Sequence, residues 1–413
     1  MTIARLCLRY CPNRPASLDC RWDLTVLAWE KGSSPCYPRV YMKFENSALR
    51  RGSQLAGGTT MAVAVLLLLA SAHAGTITTV SSTVPSNGDL NPYGVAVVPS
   101  TTGALTEGNI LVSNFNNSQN LQGTGTTIVQ ISPSGDFSLF AQIDPTKLPG
   151  RCPGGVGLTT ALVALKSGWV IVGSLPTKDG TAATAKAGCL LVVDNNGHVA
   201  ETFTDKEING PWDMTAADFG DEAALFVTNV LNGTVKAKGK VVHRGTVLRL
   251  DVQIPDHGMP EIKSITKIGS GFAERTDPAA LVIGPTGVGL SRQENSSDDH
   301  SSVIFIADSL NNRITAIDDP LQRHDSGGTG RTITKGKALN DPLGLTVARN
   351  DILSVNGANG FLVRTRNGQQ VSKVLLDNIG HPRGAGSLFG LAVVPGQGIY
   401  FVDDNANALN LCH

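Results

Sequence analysis

An internal repeat constrains the fold of this chain more than any other feature of its sequence. Six segments share a common core of a proline, a glycine and a run of alternating small and apolar residues, as in NPYGVAVVP (91–99) and DPLGLTVA (341–348). The repeated position falls at Gly94, Gly155, Asp213, Gly287, Gly344 and Gly390, with spacings of 61, 58, 74, 57 and 46 residues. Each interval holds three or four short strands, so the repeat predicts an all-β, six-bladed β-propeller.

A second signature follows each copy: an apolar strand, then Asn or Asp, two residues, and Asn again, as in IFIADSLNN (304–312). Short amide and carboxylate side chains bond neighbouring backbone amides and tolerate left-handed conformations, so this pattern favours turns that end the second strand of each blade. The alternative is that the aligned oxygens face the axis and bind a cation such as calcium. That set comprises Asn114, Asn229, Asp308, Asn356 and Asp404.

The two ends of the repeat array predict how the ring closes. The sixth copy holds an inner strand (388–394), a second (398–403) and a third (408–412), but no outer strand. The β-branched segment GTITTVSSTV (75–84) precedes the first copy and can supply the missing strand. Closure of this kind removes an exposed sheet edge, so we expect one propeller over 75–413.

The segment before the propeller resembles an export signal. Arg50 and Arg51 precede an apolar run from Met61 to Ala72, and small residues follow up to Ala74, which predicts a signal peptide at 50–74. The run of about 12 residues is shorter than the ~20 that span a bilayer as a helix. Residues 1–49 hold four of the seven cysteines without a clear period and are interpreted as an atypical extension from a mis-assigned start. A zinc knuckle is the alternative for this extension.

Cleavage after residue 74 changes the charge and cysteine content. Nine basic and four acidic residues are removed from the 34 of each, which leaves 25 and 30. The negative balance without a basic cluster argues against nucleic acid and anionic membranes as partners. We therefore expect an extracytoplasmic, periplasmic or secreted monomer without a membrane span. In an oxidising compartment Cys152 and Cys189 could pair and would leave Cys412 over.

These motifs resemble those of a known family. The sequence FIADSLNNRITAI (305–317), with the preceding Pro-x-Gly-Val pattern, is similar to the NHL repeat, and the end of the chain resembles uncharacterised secreted bacterial NHL-type proteins. The resemblance covers about residues 75–413 and implies a six-bladed propeller. Members of that family range from binding platforms to lyases and hydrolases, so the fold alone does not decide the function.

Candidate site residues come from the connections that enter the inner strands. These connections meet at one face of a propeller, and they carry Arg151, Asp213, Arg275, His381 and Arg383. The sequence predicts that this channel mouth binds an anionic or carbonyl-bearing small molecule, a glycan or a protein. The alternative is a lyase or hydrolase acting on lactones or esters at the same mouth, with His381 as acid or base. No cofactor motif is present, so any cofactor would be limited to the possible cation.

Overall fold

The computed structural model describes residues 76–278, 280–291 and 302–413, and the backbone of three N-terminal strands. Those strands, Ile3–Leu6, Leu24–Leu27 and Met42–Lys43, form an antiparallel sheet in chain order and belong to a unit separate from Ile77–His413. The remainder of the predicted extension and the predicted signal peptide lie outside the described residues. No helix in the described part of the chain has the length and apolar character needed to cross a membrane.

The described residues from Ile77 onward form six antiparallel sheets, one for each blade, as the repeat predicts. The strands of blade 1, from the axis outward, are Leu90–Val97, Ile110–Asn116, Thr127–Ile131 and Phe137–Gln142. Those of blade 2 are Leu158–Ala164, Val170–Ser174, Cys189–Val193 and Val199–Phe203. Those of blade 3 are Pro211–Asp218, Glu222–Asn229, Val242–Gln253, Glu261–Asp277 and Leu281–Ile283.

Blades 4 to 6 continue the ring. The strands of blade 4 are Pro285–Ser291, Val303–Asp308, Arg313–Asp318 and Arg331–Lys335. Those of blade 5 are Pro342–Ala348, Asp351–Asn356, Phe361–Arg366 and Gln369–Leu375. Blade 6 contains Leu388–Val394, Gly398–Asp403, Ala408–Cys412 and, as its outer strand, Ile77–Ser82. The described helices are short: Thr234–Ala237 and the 3-10 turns Ala182–Thr184 and Ser309–Asn311.

The predicted closure of the ring is confirmed. Ile77–Ser82 pairs antiparallel with Ala408–Cys412, with Ile77 opposite Cys412. The Thr79 hydroxyl donates to Asn410 Oδ1 at 2.9 Å, across 331 residues of sequence. The first and last blades are therefore joined by backbone and side-chain hydrogen bonds.

The repeated glycine is explained by the close approach of neighbouring inner strands. A Cβ atom on Gly344 would overlap the carbonyl oxygen of Phe389 in the next blade. In blade 2 the predicted register is wrong. In blade 1, Val112 pairs with Val95, directly after Gly94, whereas the corresponding Val172 of blade 2 pairs with Leu162, seven residues after Gly155. Leu158 lies opposite Ser174, as Pro92 lies opposite Asn114, so the repeated position of blade 2 falls within Thr160–Ala161, where the register shifts. Gly155 lies in the connection before the strand, where a Pro-Gly sequence imitates the repeat.

The cysteines of the propeller are oxidised. Cys152, in the connection that enters blade 2, forms a disulfide with Cys189 at the start of the third strand of the same blade. Cys412 is also disulfide-bonded in the full chain. The expectation that Cys412 is left over applies to the chain cleaved after residue 74 and stays a prediction.

Candidate functional site: the central channel

The inner strands change character along their length. Their first residues are mostly buried, whereas their last residues are partly exposed. All inner strands run in the same direction along the axis of a propeller, so this gradient describes a channel. We call the face where the inner strands begin the top face and the opposite one the bottom face. The channel is closed at the top face and open at the bottom face.

Aromatic side chains close the channel near the top face. The Tyr93 ring stacks on Phe115 of its own blade and on Phe389 of blade 6, with centroid distances of 4.4 and 3.9 Å. Trp212 of blade 3 lies 6.4 Å from Tyr93, and its Nε1 donates to the Val282 carbonyl oxygen at 3.1 Å. We refer to the four aromatic residues, Tyr93, Phe115, Trp212 and Phe389, as the aromatic plug. Aromatic pairs of this kind add about 0.5–1.5 kcal/mol each beyond the area they bury.

An insertion in blade 3 covers the plug. The strand Leu281–Ile283 pairs with the end of Glu261–Asp277, with Val282 opposite Thr276, and forms a fifth strand that other blades lack in the described chain. Leu281 and its neighbours pack in the same apolar cluster as the plug. This extra hairpin accounts for the longest repeat spacing, 74 residues, and it separates the top face from the channel below.

The open part of the channel is a cavity of about 290 Å³. Small and apolar residues such as Ala96, Ala392 and Thr346 form much of its wall. The residues at its closed end sit at or next to the repeated position: Thr160, Asp213, Gly344 and Gly390. The residues at its opening follow the inner strands: Pro99, Lys166 and Asp218.

Asp213 brings an ionisable group to the closed end of this cavity. It occupies the position that is glycine in blades 1, 4, 5 and 6. One carboxylate oxygen accepts from the Met214 N–H at 2.9 Å and the other from the Val288 N–H of blade 4 at 3.0 Å. Burial raises the pKa of Asp213 to about 8, although these two hydrogen bonds oppose the rise. The carboxyl is therefore largely protonated at pH 7 and can donate a proton or a hydrogen bond.

Hydroxyl groups around Asp213 connect the blades. The Thr228 Oγ1 accepts from the Asp213 N–H at 3.1 Å and donates to the Thr286 carbonyl oxygen of the next blade at 2.7 Å. The Thr160 Oγ1, at the closed end of the cavity, is buried without a hydrogen-bond partner. Buried hydroxyls normally have partners, but this oxygen is fully enclosed by the protein, so a molecule in the open cavity does not reach it.

The structure does not bring the five predicted site residues together. Asp213 lines the channel cavity, whereas Arg151, His381 and Arg383 are exposed in the connections that enter blades 2 and 6. Arg275 lies on the blade 3 insertion, where its Nη2 is 3.0 Å from Asp277 Oδ2. None of these four lines the cavity, and the described contacts include none that joins one of the four to another.

The residues predicted as cation ligands lie in separate turns. Asp308 accepts from Asn311 Nδ2 at 3.0 Å and from Arg313 Nε at 2.6 Å. Asn312 then adopts a left-handed conformation with φ 48°, as the turn interpretation predicts. The described residues contain no group of three or more His, Cys, Asp or Glu side chains arranged to hold a metal ion.

The other members of the set make the same kind of local contact. Asn114 Nδ2 donates to the Thr83 carbonyl oxygen at 3.0 Å, and Asn356 Nδ2 to that of Ala338 at 2.7 Å. Asn229 Oδ1 accepts from the Asn209 N–H at 3.1 Å. Each of these partners lies in the connection that enters the same blade, so the set fastens each blade at its own turn.

In blade 6 the alignment is shifted by one residue. Leu388 pairs with Asp403 as Pro285 pairs with Asp308, so Asp403, rather than Asp404, is the repeat equivalent. Burial, with a contribution from Asp403, raises the pKa of Asp404 to about 7. Because Asp403 and Asp404 are adjacent, the sequence alone did not show which of them is equivalent to Asp308.

Comparisons with known proteins concern the fold. Neither a protein-family profile nor a curated protein sequence matches the chain. Its structure is similar to that of regucalcin, a calcium-binding protein from Agrobacterium tumefaciens, at 11% identity and a TM-score of 0.44, over 80% of this chain and 92% of that one. It is also similar to a luciferin-regenerating enzyme, at 11% identity and a TM-score of 0.48, over 81% and 94% of the two chains.

A third similar structure is a PQQ-bound aldose sugar dehydrogenase from Streptomyces coelicolor, at 12% identity and a TM-score of 0.45, over 82% of this chain and 98% of that one. Identities this low bear on the fold alone. The six four- and five-stranded sheets themselves show that this chain is a six-bladed β-propeller.

Proposed function

We propose that the protein is an extracytoplasmic propeller that binds a small, uncharged molecule in the open part of its central channel. The observation that carries this proposal is Asp213, an ionisable side chain at the closed end of a cavity of about 290 Å³. A cavity of this volume is at the small end of the range for ligand sites. Of the charged side chains that line it in the described chain, the other two, Lys166 and Asp218, lie at its opening.

The chemistry of the closed end defines the ligand class. A protonated Asp213 carboxyl can donate one hydrogen bond and can also accept one. An anion would be repelled once Asp213 ionised, and no basic group lies beside it in the described lining. A carbonyl or hydroxyl compound such as a lactone, ester or sugar fits this group.

Catalysis is the second candidate function, and the pKa of Asp213 favours it. A carboxyl that titrates near pH 8 can act as a general acid at neutral pH. The reaction class would be the lyase or hydrolase chemistry predicted for lactones and esters. Binding remains the first proposal, because no nucleophile or second acid–base group lies beside Asp213 in the described cavity wall.

A binding screen with the native protein and three variants tests the site. Lactones, esters and sugars are screened by thermal shift and calorimetry, and turnover is followed for every hit. Thr346→Phe places a large side chain in the channel and should abolish binding, whereas Ser372→Phe, on the exposed outer strand of blade 5, should not. Asp213→Asn should weaken binding of a carbonyl compound about tenfold or more, because the O–H donor of the protonated carboxyl is lost. Equal affinity of all four proteins would place the ligand elsewhere.

Extracytoplasmic location is supported by the Cys152–Cys189 disulfide, which an oxidising compartment permits. The predicted signal peptide at 50–74 leads us to expect an exported chain that begins near Gly75. N-terminal sequencing of protein from the periplasm or medium should give this start. Recovery of residues 1–49 in exported material would overturn it.

Two predictions from the sequence remain proposals for the top face. The first is that an anionic ligand contacts Arg151, Arg275, His381 and Arg383. The double variant Arg151→Ala/Arg383→Ala should then lose affinity for the ligand while its melting temperature stays unchanged. The second proposal is a divalent cation such as calcium, bound by the turn residues. Its test is the melting temperature with calcium and with a chelator, which should coincide if the turn residues act solely through the hydrogen bonds described above.

A further inference from the structure

An unpaired basic surface lies on the top face at blades 2 and 3. It is formed by the loops that join the second and third strands of these blades, residues 175–188 and 230–241, and the start of the strand that follows. Its six basic residues are all exposed: Lys178, Lys186, Lys236, Lys238, Lys240 and Arg244. We call this surface the lysine rim. No ion pair joins any of these six side chains to another residue in the described part of the chain.

The two loops are held together by their apolar sides. The helix Thr234–Ala237 contacts the 3-10 turn Ala182–Thr184. Ala185 belongs to the buried cluster around the aromatic plug, and Ala182 and Val235 pack against that cluster. Because these small side chains face inward, the lysines between them are left in solvent. The rim is therefore a fixed surface rather than a set of unrelated side chains.

Few acidic groups offset this charge. Asp179 is the one acidic residue within the two loops, and its carboxylate accepts hydrogen bonds from the Thr181 and Thr184 hydroxyls. Glu207, in the adjacent connection, is paired with Lys267 at 2.8 Å. Burial raises the pKa of Glu274, near Arg244, to about 7, which reduces its negative charge at neutral pH. The rim thus carries a local positive charge on a propeller of net negative charge. The expectation that the chain after residue 74 has no basic cluster is therefore wrong.

We propose that the lysine rim binds an anionic polysaccharide. Its charges are spread over two loops, which suits a polymer with repeated carboxylates or sulfates rather than one small anion. The two loops contain no Phe, Tyr or Trp on which a nucleic-acid base could stack. Val241 is the one large apolar side chain that is strongly exposed on them, which is insufficient for insertion into a membrane. This surface is independent of the channel site.

The test measures binding of the mature protein to heparin and polygalacturonate at low salt, with a single-stranded oligonucleotide and phosphatidylglycerol vesicles as the other arms. We expect both polysaccharides to bind, with affinity that falls as salt rises, as for other polyanions. The variant Lys236→Glu/Lys238→Glu/Lys240→Glu should bind at least tenfold more weakly. The matched variant Lys263→Glu/Lys335→Glu/Lys373→Glu has the same net charge on exposed outer strands and should lose less than threefold.

Three results would overturn the proposal. The first is an equal loss of polysaccharide affinity in the two triple variants, which would mean that binding depends only on the net charge of the protein. The second is no binding of either polysaccharide by the native protein at low salt. The third is tighter binding of the oligonucleotide or the vesicles than of the polysaccharides. Circular dichroism and melting curves of both variants verify that each is folded, and channel binding should be unchanged in both.

Discussion

At the scale of single residues, the turn after the second strand of blade 4 shows how the repeat motif stabilises the fold. Asp308 is fully buried, and its charge is offset by Arg313 and Asn311. A buried charge that keeps its partners is tolerated, whereas a partner left alone in the interior is strongly destabilising. The motif Asp-x-x-Asn-x-Arg is thus a self-contained hydrogen-bonded unit.

This leads to a prediction for Asp308→Ala. The substitution leaves the Arg313 guanidinium without its carboxylate, so the free energy of unfolding should fall by about 3 kcal/mol. Denaturant unfolding measures the change. The control Asp325→Ala removes a carboxylate that is 84% exposed and should change stability by less than about 0.5 kcal/mol. Loss of channel binding without loss of stability in Asp308→Ala would contradict the structural role.

The same scale shows what the sequence could and could not predict. Asp213 stood out because it replaces glycine in an otherwise regular repeat, and its place beside the axis follows from that register. The aromatic plug was missed, although Tyr93, Trp212 and Phe389 each immediately precede the repeated position. That recurrence was the available signal. Whether three such rings meet on the axis depends on the radius of the ring, which local sequence does not encode.

At the scale of elements, the strand Ile77–Ser82 completes blade 6 and joins the two ends of the ring. Its position was predictable, since the sixth copy lacked an outer strand and a β-branched segment preceded the first. The blade 3 insertion was not predicted as a cover for the channel. The 74-residue spacing between Asp213 and Gly287 indicated extra residues in blade 3, but their position depends on tertiary packing.

Deletion of the closing strand should weaken the whole ring. A chain that begins at Asn91 exposes the edge of Ala408–Cys412, and we expect its melting temperature to fall by about 10 °C, which corresponds to a few kcal/mol for a domain of this size. Differential scanning calorimetry gives the value. A synthetic peptide of residues 76–84, added in excess, should recover part of the loss, and a scrambled peptide should not. Identical melting of the truncated and mature chains would exclude a stabilising role.

The disulfide gives a second prediction at this scale. Replacing both Cys152 and Cys189 by Ser should lower the free energy of unfolding by about 2–4 kcal/mol, because the cross-link restricts the unfolded chain. Thiol labelling of the unfolded, unreduced protein should leave both cysteines unmodified. Labelling of either one would show that the pair is not joined in solution.

At the scale of the whole molecule, buried carboxyls give stability a distinct pH dependence. Burial raises the pKa of Asp341 and Asp403 to about 6, of Glu274 and Asp404 to about 7, and of Asp213 to about 8. In the unfolded chain these groups lose their protons near pH 4. Between about pH 4 and 8 the folded state therefore binds more protons than the unfolded state, and stability falls as pH rises.

We accordingly expect a higher melting temperature at pH 5 than at pH 8. Each fully titrating group contributes a slope of up to about 1.4 kcal/mol per pH unit. In Asp213→Asn the decline should be shallower, most clearly between pH 6 and 8, since that side chain no longer ionises. Melting curves at constant ionic strength measure both effects. A native protein that is equally stable at pH 5 and pH 8 would show that these carboxyls are not protonated in the fold.

The pairing of Ile77–Ser82 with Ala408–Cys412 also has a consequence for the timing of synthesis. At about 5–20 residues per second, the 331 residues between Thr79 and Asn410 take roughly 15–65 seconds to produce. During that interval the first strand exists without its partner, and no earlier segment can complete blade 6. A chain that is interrupted before its last strand keeps two unpaired edges, which proteases and chaperones can recognise. Ring closure therefore requires that translation has reached the strand Ala408–Cys412.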